Sequence, residues 1–114
     1  MKKGRAAQAG DLIKINFDPQ SGHEQAGWRP ALVISEGVYN ERSDLALICP
    51  ITSQVKGYPF EVRLPEDCAF RGVVLADHVK SANLRARGAK HVGIAPKQVL
   101  ETVRTYVALL IGRK

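Results

Sequence analysis

Two polar stretches of the chain hold side chains that could act on a phosphodiester. The first ends at Arg29 and also contains the carboxylate of Glu24, whereas the second begins with the hydroxyl of Thr52 and includes Lys56. A carboxylate is a candidate base, a guanidinium stabilises negative charge that builds on phosphate oxygens, and a hydroxyl donates a hydrogen bond to them. The residue types therefore fit phosphoryl chemistry, provided that the fold brings the two stretches together.

The reaction that these side chains could support is cleavage of RNA without a metal ion. The attacking group would be the 2′-hydroxyl of the substrate itself, and DNA lacks this group, so the hypothesis predicts selectivity for RNA. The same residue types also suit ordinary solvated loops between strands. Residue types and spacing leave both interpretations open.

The elements that must position these residues are short strands separated by turn residues. Alternating or apolar segments predict strands over residues 12–17, 29–35, 45–49, 60–64 and 72–76, and a weaker hairpin over 85–94. Pro50 is expected to end the third strand. Five to seven short strands at this spacing favour a small antiparallel barrel or sandwich, in which the loops after strands one and three often share one rim.

One helix is predicted at the C-terminal end of the chain. Pro96 suits the first helical position, and Gly112 suits the end of the helix. Apolar residues recur between them at steps of three and four, which places them on one face: Val99, Leu100, Val103, Tyr106, Val107, Leu110 and Ile111. We expect this amphipathic helix to pack against the sheet.

The composition fits one globular domain, predicted over residues 10–114 after a flexible N-terminal segment, residues 1–9. The 114 residues are 45% hydrophobic and 25% charged, which excludes disorder of the whole chain. No apolar run approaches the roughly 18 residues of a membrane span, and the first ten residues lack the apolar core of a signal peptide. The sequence therefore predicts a cytoplasmic location.

Basic residues are concentrated in the second part of the chain. Residues 71–114 hold nine Lys or Arg against only Asp77 and Glu101, within a net charge of +6. A basic region of this kind favours a polyanionic partner such as nucleic acid, although a basic surface without a specific partner is also compatible with it.

Metal and thiol chemistry receive little support from spacing. His23, His78 and His91 form no ligand pair, and neither Cys49 nor Cys68 belongs to a paired metal motif, so we expect no metal and no other cofactor. Both cysteines are expected to be free thiols. Cys49 lies within an apolar strand, where a thiolate is disfavoured.

Several segments together resemble the MazF/PemK family of toxin endoribonucleases. The resemblance extends in the same order from about Gly10 to Gly112. It rests on GDLIKINFDP (10–19), EQAGWRPALVIS (24–35), CPITSQVKGYPFEV (49–62), GVVLADHVKS (72–81) and RARGAKHVG (85–93). The resemblance implies a mainly β fold with an SH3-like antiparallel β-barrel and a C-terminal helix, assembled as a homodimer.

The resemblance also implies an activity and a partner. Family members cleave single-stranded RNA, often mRNA, at short motifs without a metal ion, and a cognate antitoxin inhibits them. The implied products carry 2′,3′-cyclic phosphate and 5′-hydroxyl ends, and the implied effect is arrest of translation and growth. The basic charge of the chain suits an antitoxin with an acidic, disordered C-terminal tail.

The family motifs assign roles to particular residues of this chain. Arg29 and Thr52 match the catalytic arginine and threonine, and Glu24 matches an acidic residue that matters in some members. Glu24 is thus the candidate base, with His23 as the alternative. The residues expected to bind RNA are Phe17, Gln25, Trp28, Ser53, Lys56, His78 and Lys80. For Trp28 two roles are open, namely stacking on a base and packing in the dimer.

Two other classes of function remain compatible with the same small barrel. One is a toxin like CcdB, which poisons DNA gyrase by protein contact and needs no catalytic groups. The other is an RNA-binding module without chemistry. Cleavage of RNA but not of DNA by the purified protein in EDTA would distinguish the enzyme from both.

Overall fold

The computed structural model describes residues 6–17 and 27–113. Within them the chain forms seven strands, two α-helices and a short 3₁₀ helix. Their bounds are β1 (Asp11–Asn16), β2 (Trp28–Val33), α1 (Gly37–Ser43), β3 (Ala46–Thr52), β4 (Glu61–Arg63), β5 (Val73–Leu75), the 3₁₀ helix (Ala76–His78), β6 (Lys80–Ala82), β7 (Lys90–Ile94) and α2 (Lys97–Leu110).

The strands form one antiparallel sheet in the order β4-β5-β3-β2-β1-β7, and β6 pairs with the first half of β3. β3 is the longest strand and pairs with β2, β5 and β6, so it links the two halves of the sheet. The predicted small antiparallel β fold with a C-terminal helix is confirmed. Over the described residues, however, the sheet is open rather than closed into a barrel.

Alternation along the strands creates two cores on opposite faces of the sheet. On one face Leu12, Leu32 and Cys49 pack with residues of α2. The other face carries a second buried cluster, formed by Ile13, Ala31, Val33, Ile48 and Leu84. Within the described residues, no helix as long as α2 packs on this cluster. Every one of these side chains is buried. The second face is the one that continues into the candidate site.

The third strand continues beyond the point at which the sequence predicts its end. Pro50 lies within β3, opposite Ala31 of β2, and the strand runs on to Thr52. The expectation that Pro50 ends the strand is therefore wrong. Arg29 likewise lies in β2 and pairs with Ile15 of β1. The consequence is that two of the three predicted catalytic side chains, those of Arg29 and Thr52, project from strands.

Helix α2 forms close to where the sequence predicts it. Pro96 immediately precedes the first helical residue, and Gly112 follows the helix with a φ of +89°, a conformation that glycine adopts without strain. Val99 and Val103 are buried against the sheet. Arg104 attaches the helix further, since its Nε donates to the Ile34 carbonyl at 2.9 Å. The end of the apolar face does not pack, because Ile111 is 72% exposed.

The described part of the N-terminal segment lies against the domain. Ala7 is buried, and its carbonyl accepts a hydrogen bond of 2.8 Å from the side chain of Asn40 in α1. The division of the chain at residue 10 stays a prediction. No helix within residues 6–17 and 27–113 has both the length and the apolar character needed to cross a membrane.

Candidate active site

The apolar face beside Ile13 and Ile48 becomes polar towards one end of the sheet. In the β2–β3 register Ala31 pairs with Pro50. Arg29 lies two residues before Ala31, and Thr52 lies two residues after Pro50. Since side chains alternate with a period of two, Arg29 and Thr52 are at the same level on adjacent strands and on the same face. The longer β3 thus brings together two residues that are 23 positions apart in the sequence.

A cleft of about 470 Å³ opens at this end of the sheet. Six of the residues predicted for catalysis or RNA binding line it, namely Phe17, Arg29, Thr52, Lys56, His78 and Lys80. Arg29 is exposed and Thr52 is half-buried. The volume is within the range of small-molecule sites, and the cleft is open to solvent on one side. A second hollow, along the exposed side of α2 near Lys97 and Thr105, contains none of the predicted groups.

One wall of the cleft combines an aromatic ring with cations. Lys80 Nζ lies 4.9 Å from the centre of the Phe17 ring, a cation–π contact that joins β6 to the end of β1. His78, in the 3₁₀ helix, has its Nε2 3.8 Å from Asp77 Oδ1. Together with Arg29, Lys80 presents positive charge beside the aromatic surface of Phe17, the two features that bind single-stranded nucleic acid.

The end of β3 is fixed by contacts on both sides of Thr52. Its Oγ1 accepts the backbone N–H of Gln54 at 3.1 Å, which leaves the hydroxyl proton available to a ligand. On the backbone side the chain passes Gly72 so closely that a Cβ there would collide with the Thr52 carbonyl oxygen. Gly72 also has a φ of +111°, which favours glycine. These contacts hold the Thr52 hydroxyl towards the cleft.

Not all of the predicted site residues lie in the cleft. Trp28 precedes Arg29 on β2 and therefore faces the other side of the sheet, where its ring lies against Gly88. This contact lies within the chain, so stacking on a base and packing in the dimer both stay predictions for Trp28. Ser53 is exposed and does not line the cleft. Glu24, Gln25 and the alternative base His23 lie outside the described residues.

The cleft also includes residues that the sequence did not single out. The most important are Gln54, Tyr58 and Glu61. Gln54 and Tyr58 belong to the second polar stretch, for which the sequence predicts a part in the site without assigning a role to either residue. Glu61 is the first residue of β4, where strand alternation gave it no role beyond the polar side of the strand. Its carboxylate lies near the backbone of Lys56, five positions earlier, where the chain reverses at Gly57.

Neither thiol has the environment of a nucleophile. Burial in the core, together with a smaller effect of the negative charge of Asp77, raises the pKa of Cys49 to about 12. Burial and the nearby Asp67 also raise the pKa of Cys68. Both thiols are free and remain protonated at neutral pH. In the described part of the chain, no three His, Cys, Asp or Glu residues are grouped so as to hold a metal ion.

Comparison with known proteins gives matches over nearly the whole chain. Residues 8–111 match the family described as PemK-like, MazF-like toxin of type II toxin-antitoxin system. The endoribonuclease toxin MazF of Escherichia coli K12 is 48% identical over 103 residues, which cover 90% of this chain and 92% of that protein.

Solved structures agree with the sequence matches. A crystal structure of MazF from Deinococcus radiodurans superposes with a TM-score of 0.84 at 50% identity, covering 94% of this chain and 97% of that one. A crystal structure of MazE-MazF from the same organism superposes with a TM-score of 0.84 at 43% identity, covering 96% and 98%. The predicted family resemblance is confirmed by these matches.

Proposed function

We propose that this chain, which belongs to the PemK-like, MazF-like toxin family of type II toxin-antitoxin systems, is an endoribonuclease toxin that cleaves single-stranded RNA without a metal ion. The relatives named as endoribonucleases, at 48% and 37% identity, support the activity. The observation that carries the proposal for this chain is that Arg29 and Thr52 line one cleft from adjacent strands.

The proposed chemistry uses the nucleophile that RNA itself carries. The 2′-hydroxyl loses its proton to a base and attacks the adjacent phosphorus, while the bond to the 5′-oxygen breaks and that oxygen takes up a proton. The products are a 2′,3′-cyclic phosphate and a 5′-hydroxyl. Because deoxyribose has no 2′-hydroxyl, DNA of the same sequence remains intact.

Arg29 has an electrostatic role in this proposal. A guanidinium is a permanent cation, so Arg29 stabilises the charge that builds on the non-bridging oxygens rather than moving a proton. Thr52 orients the phosphate through its hydroxyl proton, which the Gln54 N–H leaves available. Both groups act from strands that the sheet holds in place.

The base remains a proposal based on the family motif. Glu24 is the first candidate and His23 the second, and both lie outside the described residues. Glu61 is a carboxylate within the cleft, but both of its oxygens accept backbone hydrogen bonds, so we do not assign it proton transfer.

The biological part of the proposal concerns mRNA, an antitoxin and a second copy of the chain. Cleavage of mRNA in the cytoplasm would stop translation and growth. The MazE-MazF structures support an antitoxin as partner. We propose that its acidic C-terminal tail covers the basic cleft and that the toxin is a homodimer. Binding of such a tail should weaken as salt rises, and an affinity insensitive to salt would contradict this arrangement.

The decisive experiment incubates the purified protein in EDTA with a single-stranded RNA and, separately, with DNA of the same sequence. We expect cleavage of the RNA alone, with cyclic phosphate ends identified by mass spectrometry. Binding of RNA without cleavage would favour the RNA-binding module. Absence of both would favour a protein target, as in toxins like CcdB, and either outcome would overturn the proposal.

A further inference from the structure

Glu61 holds the loop that forms one wall of the cleft. One carboxylate oxygen, Oε1, accepts the backbone N–H of Gly57 at 2.9 Å, and Oε2 accepts that of Lys56 at 3.2 Å. In addition, the N–H of Glu61 donates to the Tyr58 carbonyl at 3.2 Å. Two successive N–H groups thus converge on one anion, as in the backbone nests that bind anionic ligands.

The loop over residues 53–60 depends on such contacts because it contains no helix or strand. Residues 53–59 are exposed, and Gly57 reverses the chain with a φ of +80°. The far end of the loop is anchored where Phe60 packs edge-on against Tyr106 of α2, with ring centres 5.5 Å apart. Between this anchor and Thr52, the Glu61 carboxylate is the acceptor that fixes the backbone of Lys56.

We propose that Glu61 is a positioning residue, which fixes the 53–60 loop so that the Lys56 ammonium group faces the RNA backbone in the cleft. The inference rests on the proposed RNA-cleaving function and extends it to a residue outside the reacting groups. Glu61 itself does not contact the phosphate that is cleaved. It acts through Lys56, whose backbone N–H it binds and whose side chain lines the same cleft.

Whether Glu61→Gln weakens or strengthens RNA binding distinguishes the positioning role from a purely electrostatic effect of the carboxylate. A carboxylate in a cleft that binds RNA repels phosphate, so on charge alone Glu61→Gln should strengthen RNA binding. A positioning role predicts the opposite. The glutamine side chain has nearly the same shape, but it offers one neutral oxygen and an NH₂ donor where two backbone N–H groups need acceptors.

The test compares Glu61→Gln and Glu61→Ala with wild type in steady-state cleavage of a single-stranded RNA. Glu66→Gln, an exposed carboxylate outside the cleft, is the matched control. We expect KM to rise about three- to tenfold with kcat within about twofold of wild type, because Arg29 and Thr52 are held by strands rather than by the loop. An unchanged or lower KM in Glu61→Gln would overturn the proposal.

A second comparison tests whether Glu61 acts through Lys56. If it does, Glu61→Gln made in a Lys56→Ala background should raise KM by less than half of the factor seen in the wild-type background. Equal factors in the two backgrounds would contradict the mechanism. This non-additivity is a readout that a general loss of stability would not produce.

Amide hydrogen exchange provides a measurement that does not depend on activity. In Glu61→Gln the amides of Lys56 and Gly57 should exchange faster than in wild type, while those of β2 and β3 keep their protection. Unchanged exchange at both amides would count against the proposal even if the kinetics agreed. If wild type cleaves RNA but the Glu61 variants behave like Glu66→Gln, this inference fails and the proposed function stands. If wild type does not cleave RNA, the proposed function fails first.

Discussion

The two walls of the cleft differ in how the chain holds them. Arg29 and Thr52 project from β2 and β3, and at these positions Arg29 is paired with β1 and Thr52 with β5. Gln54, Lys56 and Tyr58 project from the 53–60 loop, whose backbone donates one hydrogen bond to Thr52 and two to the Glu61 carboxylate, and which is held further by the packing of Phe60. The wall formed by the strands is therefore held by backbone hydrogen bonds of the sheet, whereas the wall formed by the 53–60 loop depends on a few side-chain contacts.

This difference suggests a division of work between the walls. Groups that stabilise a transition state need positions held to a fraction of an ångström, which strands provide better than loops. Groups that bind the RNA backbone position the substrate without stabilising the reacting phosphate, so a weaker support for them costs affinity rather than the rate of the chemical step. We therefore expect changes in the strand wall to lower kcat and changes in the loop wall to raise KM.

The largest effect is expected for Arg29→Ala. Loss of the guanidinium removes one preorganised source of charge stabilisation and should lower kcat at least about a hundredfold, while the melting temperature stays close to that of wild type. Arg63→Ala is a suitable control, because Arg63 is also an exposed arginine on a strand but lies outside the cleft. Undiminished cleavage by Arg29→Ala would remove Arg29 from the mechanism.

A smaller loss is expected for Thr52→Val, which keeps the shape of the side chain and removes the hydroxyl. We expect kcat to fall about ten- to a hundredfold, since one neutral donor to the phosphate is lost. Thr52→Ser should restore most of the activity because it keeps the hydroxyl. If valine and serine have equal effects, the hydroxyl is not the group that matters.

Lys56→Ala tests the loop wall. Loss of one phosphate contact should raise KM several-fold, with little change in kcat. The slope of log binding constant against log salt concentration should become shallower by about one. Lys97→Ala, on the exposed side of α2, provides the control. A fall in kcat without a change in KM would contradict the division of work between the two walls.

The smallest effect on cleavage is expected for Cys49→Ala, because the thiol lies in the core away from the cleft. Its consequence is for stability at high pH. The pKa of Cys49 is raised from 9.0 to about 12 in the folded protein. The unfolded chain therefore ionises first, and stability is lost as pH rises from about 9 towards 12.

The measurement for Cys49 is urea unfolding at pH 8 and pH 10 for both proteins. Between these values wild type should lose about 1 kcal/mol more unfolding free energy than Cys49→Ala, because only wild type has this thiol. Equal losses in the two proteins would show that Cys49 ionises normally in the folded state.

The sequence predicts the elements of the fold well where its patterns are local. The 3.6-residue period from Val99 to Val107 and the alternation of Ile13 and Ile15 indicate the correct helix and strand, since each pattern depends on neighbouring residues only. Pro50 led to a wrong boundary because proline was taken to end a strand. In the sheet it lies opposite Ala31 within β3, where tertiary pairing overrides the local preference.

For the candidate site, the sequence alone determined the inventory: a carboxylate, a guanidinium, hydroxyls and lysines in two polar stretches of a basic chain, together with the family motifs that contain them. The tertiary structure decided the arrangement. It extended β3 past Pro50, so that Thr52 reached the level of Arg29, and turned Trp28 to the opposite face of the sheet. The physical reason is that strand register and the path of a loop depend on contacts between residues far apart in the chain, which local residue patterns do not encode.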